Sequence, residues 1–207
     1  DYVVQFSSNN GTSWATFSDG VSTATSATVT GLTNGTSYLF RVAAVNLAGT
    51  GTYSANSSAL VPATVPNAPT ALTGTFGNTS VSLTWTAPAN NGGSALTDYI
   101  IQSSTDNSIW TTFSDTVSTT ASVTVTGLTN YSTYYFKVAA VNVVGTGTYS
   151  STISVVPGIT PGSATPTVAS TGNTQIGLSW TVNPTGASSV TDWLIQFSTD
   201  NATWSTF

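Results

Sequence analysis

The sequence predicts an all-β protein made of small two-layer sandwiches strung in tandem, one complete and flanked by two partial ones. Three observations carry that prediction. Residues 31–46 read GLTNGTSYLFRVAAVN and residues 127–142 read GLTNYSTYYFKVAAVN, so one stretch is written twice, 96 positions apart. Within the second copy Tyr134, Phe136, Val138 and Ala140 alternate with Tyr135, Lys137, Ala139 and Val141, the two-residue period of a strand with one buried face. Tyr38, Phe40, Val42 and Ala44 repeat the pattern. Finally, a strand-turn-strand unit occurs three times, as DYVVQFSSNNGTSWATF from Asp1, DYIIQSSTDNSIWTTF from Asp98 and DWLIQFSTDNATWSTF from Asp192, with spacings of 97 and 94. Self-similarity at a fixed period is the mark of an array of modules.

Ahead of each alternating stretch stands a leucine, Leu32 or Leu128, followed by a turn rich in Asn, Gly, Ser and Thr that lets the chain cross between sheets. The tyrosine six residues after that leucine, Tyr38 or Tyr134, predicts a tyrosine corner, its hydroxyl bonded back to the turn's backbone. The combined pattern Gly-Leu-x5-Tyr-x-Phe-x-Val-x-Ala-x-Asn resembles the E to F corner and F strand of fibronectin type III domains. A tryptophan followed by Ala-Pro and a Gly-Gly turn, at Trp85, is a second feature similar to that family, and Trp180 stands in the matching place.

The resemblance implies tandem Ig-like sandwiches, each with sheets A-B-E and C′-C-F-G. It divides the chain into a partial domain at 1–62 (strands C to G, with VSTATSATVTG as strand E), a complete one at 66–157, and a partial one at 163–207 (strands A to C′). In the complete domain Leu72, Val81, Leu83, Trp85, Tyr99 and Ile101 are the expected inward residues. The partial domains leave apolar faces bare, including Tyr2, Phe40 and Val42 or Trp180, Trp193 and Ile195. The expectation is that the missing strands belong to the same, longer polypeptide; completion by a neighbouring subunit is the alternative. The joints LVPATVPNAPTAL and VVPGITPGSATPTV carry Pro62, Pro66, Pro69 and Pro157, Pro161, Pro166. Proline fixes φ and removes a donor, so both joints are expected to be extended and stiff.

Composition narrows the function classes. Charged residues are 4% of the chain, against about 25% in ordinary soluble domains. Thr (42) and Ser (30) make up the surface instead, and β-branched Thr favours strands. The net charge of −5 is spread thinly and Arg41 and Lys137 are the only cations, so phosphate-backbone binding has no electrostatic source and nucleic acid is excluded as a partner. No apolar run reaches 18 residues, so membrane insertion is not expected of this segment. Cysteine, histidine, methionine and glutamate are absent, which removes disulfides and thiolate or imidazole chemistry. The absence of a starting Met is read as a mature product or a portion of something longer.

No catalytic residue, metal ligand or cofactor site is expected. Asp98 and Asp192 precede strand C in a position suited to a strand-start hydrogen bond. Asp106 and Asp200 lie beside Asn107 and Asn201 in the C to C′ turn, where turn chemistry outweighs a calcium site that would gather several carboxylates. Trp14, Trp110 and Trp204 recur on strand C′ as structural cover or, in a carbohydrate-binding reading, as sugar platforms. Six sequons, at Asn10, Asn34, Asn56, Asn78, Asn130 and Asn201, offer glycosylation sites.

The outward face of the C and F strands is expected to carry Val3, Ile100 and Leu194 with Leu39, Tyr135 and Ala139, an apolar set suited to lateral self-association on a weakly charged protein. Near-identity of neighbouring repeats (24 of 34 positions between 21–54 and 117–150) fits a long spacer. The expected role is thus a non-enzymatic structural or adhesive segment of a secreted or cell-surface protein, part of a rod or filament, whose partner is itself or the continuing array. The alternative is a spacer or carbohydrate-binding accessory of a polysaccharide-degrading enzyme.

Overall fold

The computed structural model describes residues 1–181 and 190–207, and among them every ordered element is a β-strand and every strand pairing is antiparallel. The first unit contains β1 (Tyr2–Ser7), β2 (Ala15–Phe17), β3 (Leu39–Asn46) and β4 (Gly49–Thr50), in the order β2-β1-β3-β4. The middle unit contains β5 (Thr70–Gly77), β6 (Ser80–Thr86), β7 (Leu96–Ser104), β8 (Thr111–Thr112), β9 (Ser122–Thr126), β10 (Tyr134–Asn142), β11 (Gly145–Tyr149) and β12 (Ile153–Val155). Its two sheets run β5-β6-β9 and β11-β10-β7-β8, with β12 also paired to β10. In the third unit β13 (Thr165–Gly172) pairs β14 (Gln175–Thr181), and β15 (Gln196–Phe197) pairs β16 (Ser205–Thr206).

The middle core forms because alternate residues of facing strands point into one layer. Leu72, Val81, Leu83, Trp85 and Val125 come from one sheet, Tyr99, Ile101, Phe136, Val138 and Ala140 from the other, and all are buried. Every expected inward residue of this unit is therefore inward, and each large one contributes about 1.5–3 kcal/mol by leaving water. Trp85 meets Tyr99 edge to face at 5.0 Å between ring centres. Both tyrosine corners are present: Thr33 N donates to the Tyr38 hydroxyl at 3.0 Å and Thr129 N to that of Tyr134 at 3.1 Å.

The partial units depart from the sequence expectation in three places. VSTATSATVTG, expected as strand E, forms no strand; in the middle unit this segment pairs with β6, and the first unit has no counterpart of β6. Ser22 and residues 24–29 instead line an open groove of about 520 Å³ against Tyr2, Val4, Phe40 and Val42. The expected strand G of the first unit is reduced to β4, an isolated bridge between Tyr38 and Leu60, and single bonds from Ser54 N to Val42 O and Ser57 N to Phe40 O. The strand C expected across DWLIQF is shortened to Gln196–Phe197, because the strand that would flank it, the equivalent of β10, is not in the chain.

Candidate functional site

The outer face of the sheet β11-β10-β7-β8 is where surface chemistry concentrates. Lys137 on β10 lies over the Trp110 ring at 3.9 Å from its centre and over Tyr149 of β11 at 4.8 Å. Arg41 on β3 repeats this over Trp14 at 4.1 Å and Tyr53 at 4.4 Å. Cations are drawn to aromatic faces by the ring quadrupole, worth about 0.5–1 kcal/mol at exposed sites, so the two cations of the chain are each held between two rings. Arg41 also donates from Nε and Nη2 to Gln5 Oε1 at 2.9 and 2.7 Å, and Gln5 donates to Thr16 at 3.2 Å. Gln102 makes the matching bond to Thr112 at 3.3 Å and Gln196 to Thr206 at 3.4 Å. Desolvation pushes the Tyr149 hydroxyl above its ordinary pKa.

The three tryptophans stand just before the expected C′ strands, not on them: Trp14 and Trp110 immediately precede β2 and β8. Trp204 has no cation over it and is 56% exposed, since the strand that would supply one is not in the chain. The sequence signal for the clamp was legible: the only two cations fall at sister positions, in repeats that each carry a tryptophan 27 residues earlier.

The six residues expected on the lateral face are divided among the units: Val3 and Leu39 in the first, Ile100, Tyr135 and Ala139 in the middle one and Leu194 in the third. Ile100 sits opposite Ala139, and Val3 opposite Ala43. Tyr135 lies across the Lys137 row from Ile100, and Leu39 occupies the corresponding end of β3. Val3, Leu39, Ile100 and Tyr135 are half-buried, and Leu194 is 77% exposed outside any strand. Ala139 departs from the expectation, being fully buried, as is Ala43. A methyl group flanked by Ile100 on one neighbour and Tyr149 on the other is overtopped by both.

Asp106 and Asp200 act within turns. Asp106 accepts from Ile109 N and Ser108 N at 2.8 Å and from the Ser104 hydroxyl at 2.8 Å, and these donors, Ile109 first, hold its carboxyl below the ordinary value. Asp200 is lowered further by Thr203 N, Ala202 N and the Thr203 and Ser198 hydroxyls. Asn9 fills the same place in the first unit, accepting from Ser13 N at 2.9 Å and the Ser7 hydroxyl at 2.8 Å. Asp1 and Asp98 accept from Ser22 N and Ser118 N, both at 3.0 Å, which ties β1 and β7 to the segment after C′; Asp98 lies within β7, which begins at Leu96, not ahead of the strand as expected.

Residues 1–59 and 67–156 match the family model of the fibronectin type III domain. The chain belongs to the fibronectin type III family. It is similar to a Kelch domain-containing protein of Saccharolobus solfataricus, 38% identical over 79% of this chain and 22% of that protein. It is likewise similar to Endoglucanase B of Cellulomonas fimi, 33% identical over 80% of this chain and 16% of that protein. The chain thus spans less than a quarter of the length of either relative. Domains A168-A170 of titin share the fold, with a TM-score of 0.52 at 22% identity over 75% of this chain and 54% of that one.

Between the first two fibronectin type III units the linker is bonded on both sides. Gly35 N donates to Pro62 O at 2.9 Å, Thr64 N to Gly92 O at 2.9 Å and Asn67 N to Asn90 O at 3.0 Å. Asn142, buried at the end of β10, donates its amide to Thr64 O at 2.7 Å and Asn91 O at 2.9 Å. Its carbonyl oxygen accepts from Val144 N and Gly145 N, so every polar atom of the side chain is used. Pro66 and Pro69 are fully buried. Of the fibronectin type III sequons, Asn10, Asn34, Asn56, Asn78 and Asn201 are exposed. Asn130 is half-buried, its amide donating to Asn78 at 2.8 Å and its oxygen accepting from Thr79 N at 2.7 Å.

Proposed function

We propose that this segment is a non-enzymatic rod element of a secreted or cell-surface protein, a stretch of a longer array in which each fibronectin type III unit is coupled to the next. The observation that carries this reading is the linker at 62–67, whose backbone is shared between the corner of one unit and the turn of the next. Such bonds restrict the hinge freedom that is the default between domains with small interfaces. The carboxylates of Asp106 and Asp200, engaged in turns, and the two cations, engaged in clamps, support the same reading. Lateral self-association, with Ile100 and Leu194 as its apolar contacts, is the filament-forming version of this role. Small-angle X-ray scattering tests the rod: a maximum dimension near the summed length of the units is expected, and a profile typical of freely hinged beads would overturn it. The Ile100→Lys, Leu194→Lys double variant should weaken bundling without unfolding; unchanged bundling would remove the lateral version.

The similarity to Endoglucanase B favours a second reading, an accessory or spacer within a polysaccharide-degrading enzyme. Trp204, free of a cation, is the ring best placed to stack on a sugar. Retention on insoluble cellulose or chitin that is lost in Trp204→Ala and Trp110→Ala would establish this reading, and no retention would remove it.

A further inference from the structure

We infer that the fourth residue after each corner glycine, Gly35 in the first unit and Tyr131 in the second, sets how closely the following unit docks. This inference rests on the rod reading above. Gly35 has φ +81° and lies against Gly93 of the next unit, so that a β-carbon on Gly35 would stand 3.1 Å from Gly93 Cα. Seen from the other side, a β-carbon on Gly93 would stand 2.6 Å from the Asn34 carbonyl carbon, and Gly93 too has a left-handed φ of +86°. Here two backbones touch, which only glycine permits.

Tyr131 occupies the sister position with nearly the same backbone, φ +65°. A left-handed conformation is unfavourable for any residue with a β-carbon, and for an aromatic it is an outlier that the surroundings must enforce. Those surroundings are the following linker. The Tyr131 ring covers Gly158, leaving 3.2 Å between its Cε1 and the place of a β-carbon, and its N–H donates to Pro157 O at 2.8 Å. The hydroxyl donates to Ile159 O at 3.4 Å.

The first linker carries Ala63 where the second has Gly158, as Pro62 and Pro157 align. Small corner goes with a linker β-carbon, and large corner with none. Gly35 admits the next unit to backbone contact at Gly93, and Tyr131 places a ring over the linker at Gly158.

The test uses the whole chain carrying Leu47→Cys and Val143→Cys, sister positions at the exposed tips after β3 and β10, in a protein otherwise free of cysteine. Spin labels there read the step from one unit to the next. In the parent chain a narrow distance distribution is expected; a broad one would overturn the rod reading and this inference with it. Gly35→Tyr should lengthen the mean distance by about 3 Å or more, the thickness of an aromatic ring, and Gly35→Ala by less. Gly93→Ala, which obstructs the contact from the other unit, should lengthen it as well and serves if Gly35→Tyr perturbs its own corner. A narrow distribution that none of these moves would overturn the inference while leaving the rod intact.

Discussion

Residues 117–126 and 21–30 differ only at Thr120, Ala121 and Val123 against Ala24, Thr25 and Ala27, yet Ser122–Thr126 is strand β9 and its sister forms none. The same contrast separates the nine-residue β7 from the two-residue β15, drawn from DYIIQSS and DWLIQFS. The local sequence is nearly constant within each pair and the neighbouring strand is not. β9 is bonded to β6 along five residue pairs, and β7 to β10 along eight. In this chain β-propensity marks where a strand can form, and a partner with an apolar layer behind it decides whether one does.

Breaking the shared layer of the middle unit should show this most strongly. Phe136→Ala removes a fully buried ring and should destabilise that unit by about 3–5 kcal/mol, read from urea unfolding monitored by tryptophan fluorescence. The sister Phe40→Ala, on a face open to the groove, should cost clearly less.

The comparison is sharpened by supplying what is missing. A copy of residues 66–97 placed directly before Asp1, as it stands before Asp98, provides strands for residues 22–30 to pair with. Amide exchange at 26–30 should then require local opening of about 2 kcal/mol or more, up from near zero. Unprotected amides would show that Ala24, Thr25 and Ala27 themselves prevent the strand.

The smallest effect concerns the turn where Asn9 and Asp106 do the same work. The Asp106 carboxyl is held below its reference value of 3.8, so its charged form favours the fold at pH above that value, and this contribution fades as pH falls through the lowered one. Asp106→Asn should lower the melting temperature slightly at neutral pH. The difference from the parent should shrink below about pH 3.8 and should not reverse.

Much of the middle unit was legible in the sequence because period-two alternation and the Leu-x5-Tyr corner are short-range signals that geometry turns directly into burial and a hydrogen bond. Phe136, Val138, Tyr99, Leu83 and Tyr134 all stand where that rhythm puts them. Features that depend on distant neighbours were not legible. Alternation assigns Ala139 to the outer face but not the height of Ile100 and Tyr149 beside it. Proline content indicated stiff joints, whereas the ties themselves are main-chain bonds to distant turns and the amide of Asn142, 78 residues from its acceptor Thr64. Gly35 reads as ordinary turn chemistry until Gly93 is placed against it.

The first joint has one further consequence. Apart from Asn142, its ties run between main-chain groups at Gly35, Pro62, Thr64, Asn67, Asn90 and Gly92, and main-chain groups are common to every amino acid. A repeat protein jointed in this way can exchange most of its surface hydroxyls through mutation and still hold the same pitch, provided the glycines are inherited with it.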